Sequence, residues 1–315
     1  MEEKIVMARE KTSYFTRVKS DLKKHRSVYI MVIPVLLFYA LFCYKPMYGL
    51  LMAFQNYTPA EGIWGSDWVG FKHFSDFINN PDFLKLIRNT LAVSICGLVF
   101  GFPAPILFAL LVNEIRQRSF KRVVQTFSYL PHFISLVVIC GMVKSFVSRN
   151  GVITIALSYI FGMQPMDMLS NENFYLPIYT ISSIWQGMGW DAIIYIAALS
   201  SVDAALYEAA SIDGAKKFQQ MIHVTLPAIL PTIIMMLILR VGQLMSVGHE
   251  KTLLLYNPLI FNRADIISTY VYRLAFEGQQ WSYTTAVGLF NSVINFILVI
   301  VVNQISRRLA DTSLW

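Results

Sequence analysis

An all-α membrane protein with six transmembrane helices and both termini in the cytoplasm is predicted by three observations. Of 315 residues, 56% are hydrophobic and only 14% are charged, against about 25% charged in an average soluble domain. The apolar residues are gathered into six runs, starting near Val28, Leu86, Val123, Tyr175, Ala228 and Tyr283. Each holds roughly 20 residues or somewhat more, enough to cross a hydrocarbon core about 30 Å thick. Lys and Arg, finally, are concentrated in every second segment between the runs. The runs are helical, because an open sheet leaves backbone groups unsatisfied in lipid.

Orientation follows from the basic residues. The N-terminal segment 1–27 carries Lys4, Arg9, Lys11, Arg17, Lys19, Lys23, Lys24 and Arg26. The loop after the second run, NEIRQRSFKR, adds Arg116, Arg118, Lys121 and Arg122, and the last run is followed by Arg307 and Arg308. The first opposite loop is acidic, with Glu61, Asp67, Asp76 and Asp82. The positive-inside rule then puts both termini in the cytoplasm, and the net charge of +7 is mostly a topology signal. It does not predict nucleic-acid binding, since the basic residues are split among loops with no aromatic-interleaved patch.

The first span is expected over 28–50, with Pro34 and Pro46 inside it and Lys45 near its outer end. A charged tail precedes it and no small-residue cleavage site follows, so it reads as a retained helix. The external segment 55–84, with Trp64, Trp68, Phe71 and Phe74, predicts a short helix at the membrane surface. The second span covers 86–112 and contains GFPAP; the third covers 123–146 and contains YLPHFIS. The fourth, 175–198, carries WQGMGWD; the fifth and sixth cover 228–247 and 283–305. Cys43, Cys96 and Cys140 lie in or at the ends of apolar runs and are expected as buried small hydrophobes. The predicted organisation is a basic cytoplasmic tail 1–27, one membrane domain 28–306 and a cytoplasmic tail 307–315.

Several function classes are excluded or disfavoured. There is no GxxxxGK[ST] loop, so the chain does not bind ATP in the P-loop manner. No GxSxG, HExxH or Ser/His/Asp spacing occurs, and His25, His73, His132, His223 and His249 are scattered. No catalytic, metal or cofactor site is predicted.

Between the fourth and fifth runs the chain interrupts itself with YEAASIDGAKKFQQMIHVTLP. The segment, about 203–226, is cytoplasmic by the alternation of spans. Asp203 can cap a first helix, on which Leu206, Ala209 and Ala210 form an apolar, small-residue side. Asp213–Gly214 marks a bend, since glycine reaches backbone angles other residues avoid. A second helix carries Phe218, Met221 and Ile222, and Pro227 marks entry into the fifth span. Small side chains permit close approach of another protein, and Glu208 and Asp213 offer carboxylates to basic partners. Periodicity alone leaves open a helix folded back on its own domain.

The stretch EAASIDGAKKFQQMIHVTLP resembles the EAA signature of permease subunits of bacterial ATP-driven (ABC) importers. Glu208, Ala209 and Ala210 are followed four positions later by Gly214, then by Leu226 and Pro227. Met221 stands where a phenylalanine is often found. YGLLMAFQNY, WVGFKHFSDF, RNTL, QTFSYLPHFIS, ADIISTYVYR and AVGLFNSVINFILVIVVNQISRRL extend the resemblance along nearly the whole chain. They are similar to the sugar-importer permeases, and more narrowly to the LplB-like branch, which is associated with oligosaccharide uptake and includes relatives of alginate and pectin-fragment importers.

The resemblance implies the type I ABC importer permease fold and a place in a bacterial cytoplasmic (inner) membrane. It implies that Glu208, Ala209, Ala210, Asp213, Gly214, Leu226 and Pro227 belong to a coupling helix docked in a groove of a cytoplasmic ATPase. It further implies a heterodimer with a second permease, two ATPase subunits that use ATP and Mg, and an extracytoplasmic solute-binding protein. The chain itself is then non-catalytic and moves an oligosaccharide, neutral or acidic, by alternating access. The competing class is an ion-coupled secondary transporter of a small polar solute. Such proteins show inverted repeats and intramembrane acids; here no internal repeat is visible, and Asp191 is the one acid well inside a predicted span.

A sugar cavity needs hydrogen-bonding groups beside aromatic faces. Asn291 and Asn295 share a face of the sixth span; Trp185, Gln186 and Trp190 offer similar chemistry on the fourth. Interhelical hydrogen bonding is the other reading of the asparagines. Arg240 lies roughly 20 Å into the fifth span, too deep for easy snorkelling. Its partner is Asp191, a group of the second permease, or a substrate carboxylate, which a guanidinium fits in bidentate fashion.

Overall fold

The computed structural model describes residues 23–246 and 248–310. The basic residues of segment 1–22 and the tail 311–315 lie outside the described residues. Five helical stretches are long and apolar enough to cross a membrane: Arg26–Phe54, Phe83–Asn113, Leu136–Phe161, Lys217–Val241 and Trp281–Arg308. Glu172–Ser200 adds a sixth when taken with Ala204–Ile212, from which it is bent by 71°. No strand forms among the described residues; one isolated bridge pairs Gln55 with Trp68.

The first stretch opens as α1 (Arg26–Phe38) and continues through π and 3-10 turns to Phe54. Its most apolar part is not buried at all against the rest of the chain. Cys43 is accordingly exposed, against the expectation for it, whereas Cys140 is buried. α2 (Lys72–Ile78) packs on the 3-10 turn Tyr48–Phe54 and on the last helix. Trp64, Trp68 and Phe71 are exposed there.

The second stretch comprises α3 (Phe83–Cys96) and α4 (Pro103–Asn113). Between them lies a π turn, Gly97–Gly101, ending two residues before Pro103. The π turns Tyr39–Tyr44 and Met221–Thr225 end likewise two residues before Pro46 and Pro227. Proline has no N–H to donate and its ring clashes with the carbonyl four residues back; a widened turn takes up the misfit. Pro34, Pro177 and Pro231 are held inside α-helices without such a turn.

The expected third span, 123–146, is displaced. The amphipathic α5 (Arg118–Tyr129) runs into a 3-10 turn, Leu130–Phe133, that holds Pro131. The chain is extended at Ile134 and Ser135, and α6 (Leu136–Val147) begins afresh. Ser135 caps it by accepting from the Val138 N–H at 3.4 Å. α7 (Val152–Phe161) completes the third stretch.

α8 (Glu172–Ser200) is central, packing against α3, α4, α5 and the fifth stretch. Then come α9 (Ala204–Ile212), α10 (Lys217–Gln220) and α11 (Leu226–Val241). The fifth span is thus shifted from 228–247: it is helical from Lys217 and gives way at Gly242 to a turn. Pro227 lies inside that continuous stretch, not at its entrance. α12 (His249–Leu255) and α13 (Ile267–Phe276) lead to α14 (Trp281–Ala310). Three apolar cores result. One joins α6, α8 and α12 around Ile139, Tyr175 and Leu255. A second joins Phe77, Leu86, Ile267 and Val287, and a third joins Leu110, Tyr195 and Ile229.

Candidate functional site

The segment from Asp203 to Pro227 folds as two helices held by local hydrogen bonds. The Asp203 carboxylate accepts from the Ala205 N–H at 2.9 Å, capping α9 as its position predicts. α9 ends where the Ala215 N–H donates to the Ala210 carbonyl at 2.9 Å. Gly214 then has φ of 79°, the left-handed region, and a Cβ built on it meets nothing within 4 Å. The glycine is needed for the turn and faces open space.

Side chains that the motif did not single out lock the turn. The buried Gln220 amide donates to the Ser211 hydroxyl at 2.9 Å and to the Ala215 carbonyl at 3.1 Å. Gln219 accepts from the Lys216 N–H at 2.8 Å, and Tyr207 and Thr225 share a hydroxyl–hydroxyl bond of 3.1 Å. Lys217 forms an ion pair with Glu114, at the end of α4, at 3.2 Å. Leu226 packs into the Leu110–Tyr195–Ile229 core, while Pro227 is exposed on the first turn of α11. Glu208, Ala209 and Asp213 are exposed and Ala210 is half-buried. Ile212 is 87% and Phe218 66% exposed, with Leu206 also open. A locally hydrogen-bonded unit that exposes Leu206, Ala209, Ile212 and Phe218 beside Glu208 and Asp213 is thereby joined directly to α11.

Deeper in the bundle, two adjoining cavities of about 330 and 650 Å³ open between α3, α4, α8 and α11. Gly101, Asp191, Arg240 and Gln243 line both. Arg240 stands in the last turn of α11, where a cation favours the helix dipole. One guanidinium nitrogen lies 3.4 Å from the position a Cβ on Gly97 would take, so a small residue in the π turn leaves room for it. Among the described residues the Arg240 side chain makes no ion pair or hydrogen bond. The expected alternative, a bonded Arg240–Asp191 pair, is therefore not formed, although both side chains face the same space.

The remaining candidates divide. Trp190 lines the larger cavity, stacked on His132 at 4.5 Å between ring centres with Phe133 edge-on at 5.4 Å. Trp185 and Gln186 line neither cavity. Asn291 and Asn295 hold the turn that ends α11. Asn295 accepts from the Met245 N–H at 2.9 Å and donates to the Ser246 hydroxyl at 2.8 Å. Asn291 donates to the Met245 carbonyl at 3.0 Å, and the Ser94 hydroxyl to the Leu244 carbonyl. Non-helical backbone at membrane depth must be satisfied by protein; these side chains do that. Residues missed by sequence reasoning are Gln243, Tyr179, Ser183 and Ser246, which line the cavities. A single polar residue in an apolar run gives no facing direction before the helices are packed.

Three comparisons bear on the chain. Residues 101–311 match the family described as binding-protein-dependent transport system inner membrane component. The chain is 43% identical to Protein LplB of Bacillus subtilis (strain 168) over 295 residues, covering 93% of this chain and 92% of that protein. It is 40% identical to the polygalacturonan/rhamnogalacturonan transport system permease protein YteP of the same organism over 299 residues, 95% and 93% of the two chains. Among solved structures, a chain of a bacterial alginate ABC transporter, crystallised in complex with an alginate pentasaccharide-bound periplasmic protein, superposes with a TM-score of 0.87 at 41% identity. The match covers 95% of this chain and all of the other. The fold is therefore the type I ABC permease fold, and the chain belongs to the family of binding-protein-dependent transport system inner membrane components.

Proposed function

We propose that this chain is the permease subunit of an ATP-driven importer that moves an oligosaccharide across the bacterial cytoplasmic membrane. The observation that carries this reading is the Asp203–Pro227 unit: closed by local hydrogen bonds, exposed with apolar and small residues on its outer face, and continuous with the helix that bears Arg240. A displacement applied to its face is transmitted to α11 and, through Lys217–Glu114, to the end of α4. Both helices wall the cavities, so docking on the cytoplasmic side changes their width. ATP and Mg act on two partner ATPase subunits, a second permease completes the pore, and an extracytoplasmic solute-binding protein delivers cargo. Six spans with both termini in the cytoplasm put the unit on the ATPase side. For transport to follow ATP, the closed ATPase dimer must favour the outward-facing arrangement over the inward-facing one.

The unpaired Arg240 supports an acidic, uronate-containing cargo. Its guanidinium is open to the cavity space rather than closed in a bonded ion pair, and a sugar carboxylate fits its fork. One solved neighbour is a bacterial ABC transporter involved in the import of the acidic polysaccharide alginate. Uptake into proteoliposomes holding both permeases and the ATPases, with binding protein outside, is the direct test. We expect uptake to require ATP inside; uptake that follows an imposed ion gradient without the ATPase overturns the proposal in favour of a secondary transporter.

A further inference from the structure

A second cation lies behind the cavity wall. Lys251, on α12, is 6% exposed. Its ammonium donates to the Ser183 hydroxyl at 2.8 Å and lies 5.2 Å from the centre of the Tyr179 ring. Ser183 and Tyr179 both line the 330 Å³ cavity, as does Gly248, which begins α12. Among the described residues no carboxylate pairs with Lys251. The Ser183 hydroxyl donates to the Tyr179 carbonyl at 2.7 Å, so its lone pairs are turned to the ammonium. Gly248 has φ of 84°, and a Cβ there sits 2.7 Å from the Tyr179 hydroxyl. α12 is therefore pressed close to α8, and Lys251 is held in one place.

An unpaired ammonium in an apolar interior is costly, and a methionine of similar length would fill the same space without that cost. Ionisable groups kept at such positions mark functional pathways by default. The cavity wall of this chain carries Arg240 and Asp191, which oppose each other, and Lys251 behind Ser183 tips the sum to positive. In a low-dielectric wall such a charge acts at distances where water would screen it. We infer that Lys251 is a specificity-determining residue, a second fixed cation behind the cavity wall that selects carboxylate-bearing over neutral oligosaccharides. This rests on the reading above that cargo passes through this cavity.

The test is uptake by the full reconstituted importer of pentagalacturonate and alginate pentasaccharide against maltopentaose, in the parent and in Lys251→Arg, Lys251→Gln and Lys251→Met. Loss of the charge is expected to cut acidic uptake about tenfold or more. Arg should stay near the parent, while Gln and Met should both lose acidic uptake and leave neutral uptake alone. If Gln behaves like Arg and only Met fails, the lysine serves as a hydrogen-bond donor to Ser183 and the inference is wrong. Equal loss of both cargo classes, or no loss in any variant, also overturns it. Should Met fail to assemble, the Gln–Arg pair decides alone. An ATP-dependent parent that ignores Lys251 leaves the proposed function standing; a parent without ATP-dependent uptake removes both.

Discussion

Within Asp203–Thr225 the polar side chains bond the chain to itself. Asp203, Ser211, Gln219, Gln220 and Thr225 all find partners within 20 residues of their own position. Around the cavity the arrangement is reversed. Arg240 and Asp191 come from different helices, face the same space and make no bond to each other. On the proposed reading, a segment that hands on a movement must not deform, which suits hydrogen bonds closed locally, and a site that takes up and releases cargo must leave groups open. The two regions are the ends of one helical stretch, Lys217–Val241.

The sharpest way to break the comparison is at Gly214. Its φ of 79° and the empty space around it mean that Gly214→Trp adds bulk outward and strains the turn only locally, at a cost on the order of 1–2 kcal/mol. We expect the membrane domain to fold with a near-parent melting temperature, while co-purification with the ATPase and ATP-driven uptake are lost. Full assembly and full transport by this variant would move the docking face elsewhere.

Next comes Arg240. If its open charge serves the cargo, Arg240→Gln loses acidic uptake by about tenfold or more with neutral uptake spared. If the charge serves only the end of α11, both cargo classes fall together or the complex fails to assemble. Uptake of acidic and neutral pentasaccharides, beside gel filtration of the complex, separates these outcomes. Asp191→Asn, removing the opposing charge, should shift preference further toward acidic cargo.

These two regions also differ in how readable they are. The capped helix, the bend at Gly214 and the Leu-Pro that follows are contiguous, so residue chemistry at short spacing predicts them. By sequence Pro227 reads as an entry point, because a proline usually opens a helix; the π turn Met221–Thr225 that lets the helix continue through it leaves no separate mark in the sequence. The third span differs from its sequence reading for a related reason. Leu130, Phe133 and Ile134 make YLPHFIS read as part of an apolar run, yet the chain is extended at Ile134 and Ser135. In the cavity, depth could be counted along the fifth span, and Arg240 does face the space. Which polar residues of neighbouring spans join it depends on helix rotation, which periodicity barely constrains when nearly every face is apolar.

Asn295 tests whether a deep polar residue belongs to the closed or the open kind. Its side chain accepts the Met245 N–H and donates to Ser246. Asn295→Leu leaves that buried N–H unpaired, at about 1–3 kcal/mol. We expect a lower melting temperature with the acidic-to-neutral uptake ratio unchanged. A changed ratio at unchanged stability would put Asn295 in contact with cargo.

The smallest effect is expected at Lys217–Glu114, the ion pair of 3.2 Å between the Asp203–Pro227 unit and the end of α4. The lysine side chain is 66% and the glutamate 38% exposed, so solvent screens the attraction and a pair of this kind contributes roughly 0–1 kcal/mol. Lys217→Ala should therefore leave stability nearly unchanged. The pair joins two helices that both wall the cavities, however, and its loss frees one from the movement of the other. We expect a fall of about twofold in uptake per ATP hydrolysed, larger at low salt, where exposed charges interact more strongly. A double-mutant cycle with Glu114→Ala isolates the coupling. A coupling energy in uptake that disappears at high salt supports transmission through the pair. Additive effects of the two substitutions would leave the covalent path through α11 as the route by which the unit reaches the cavity.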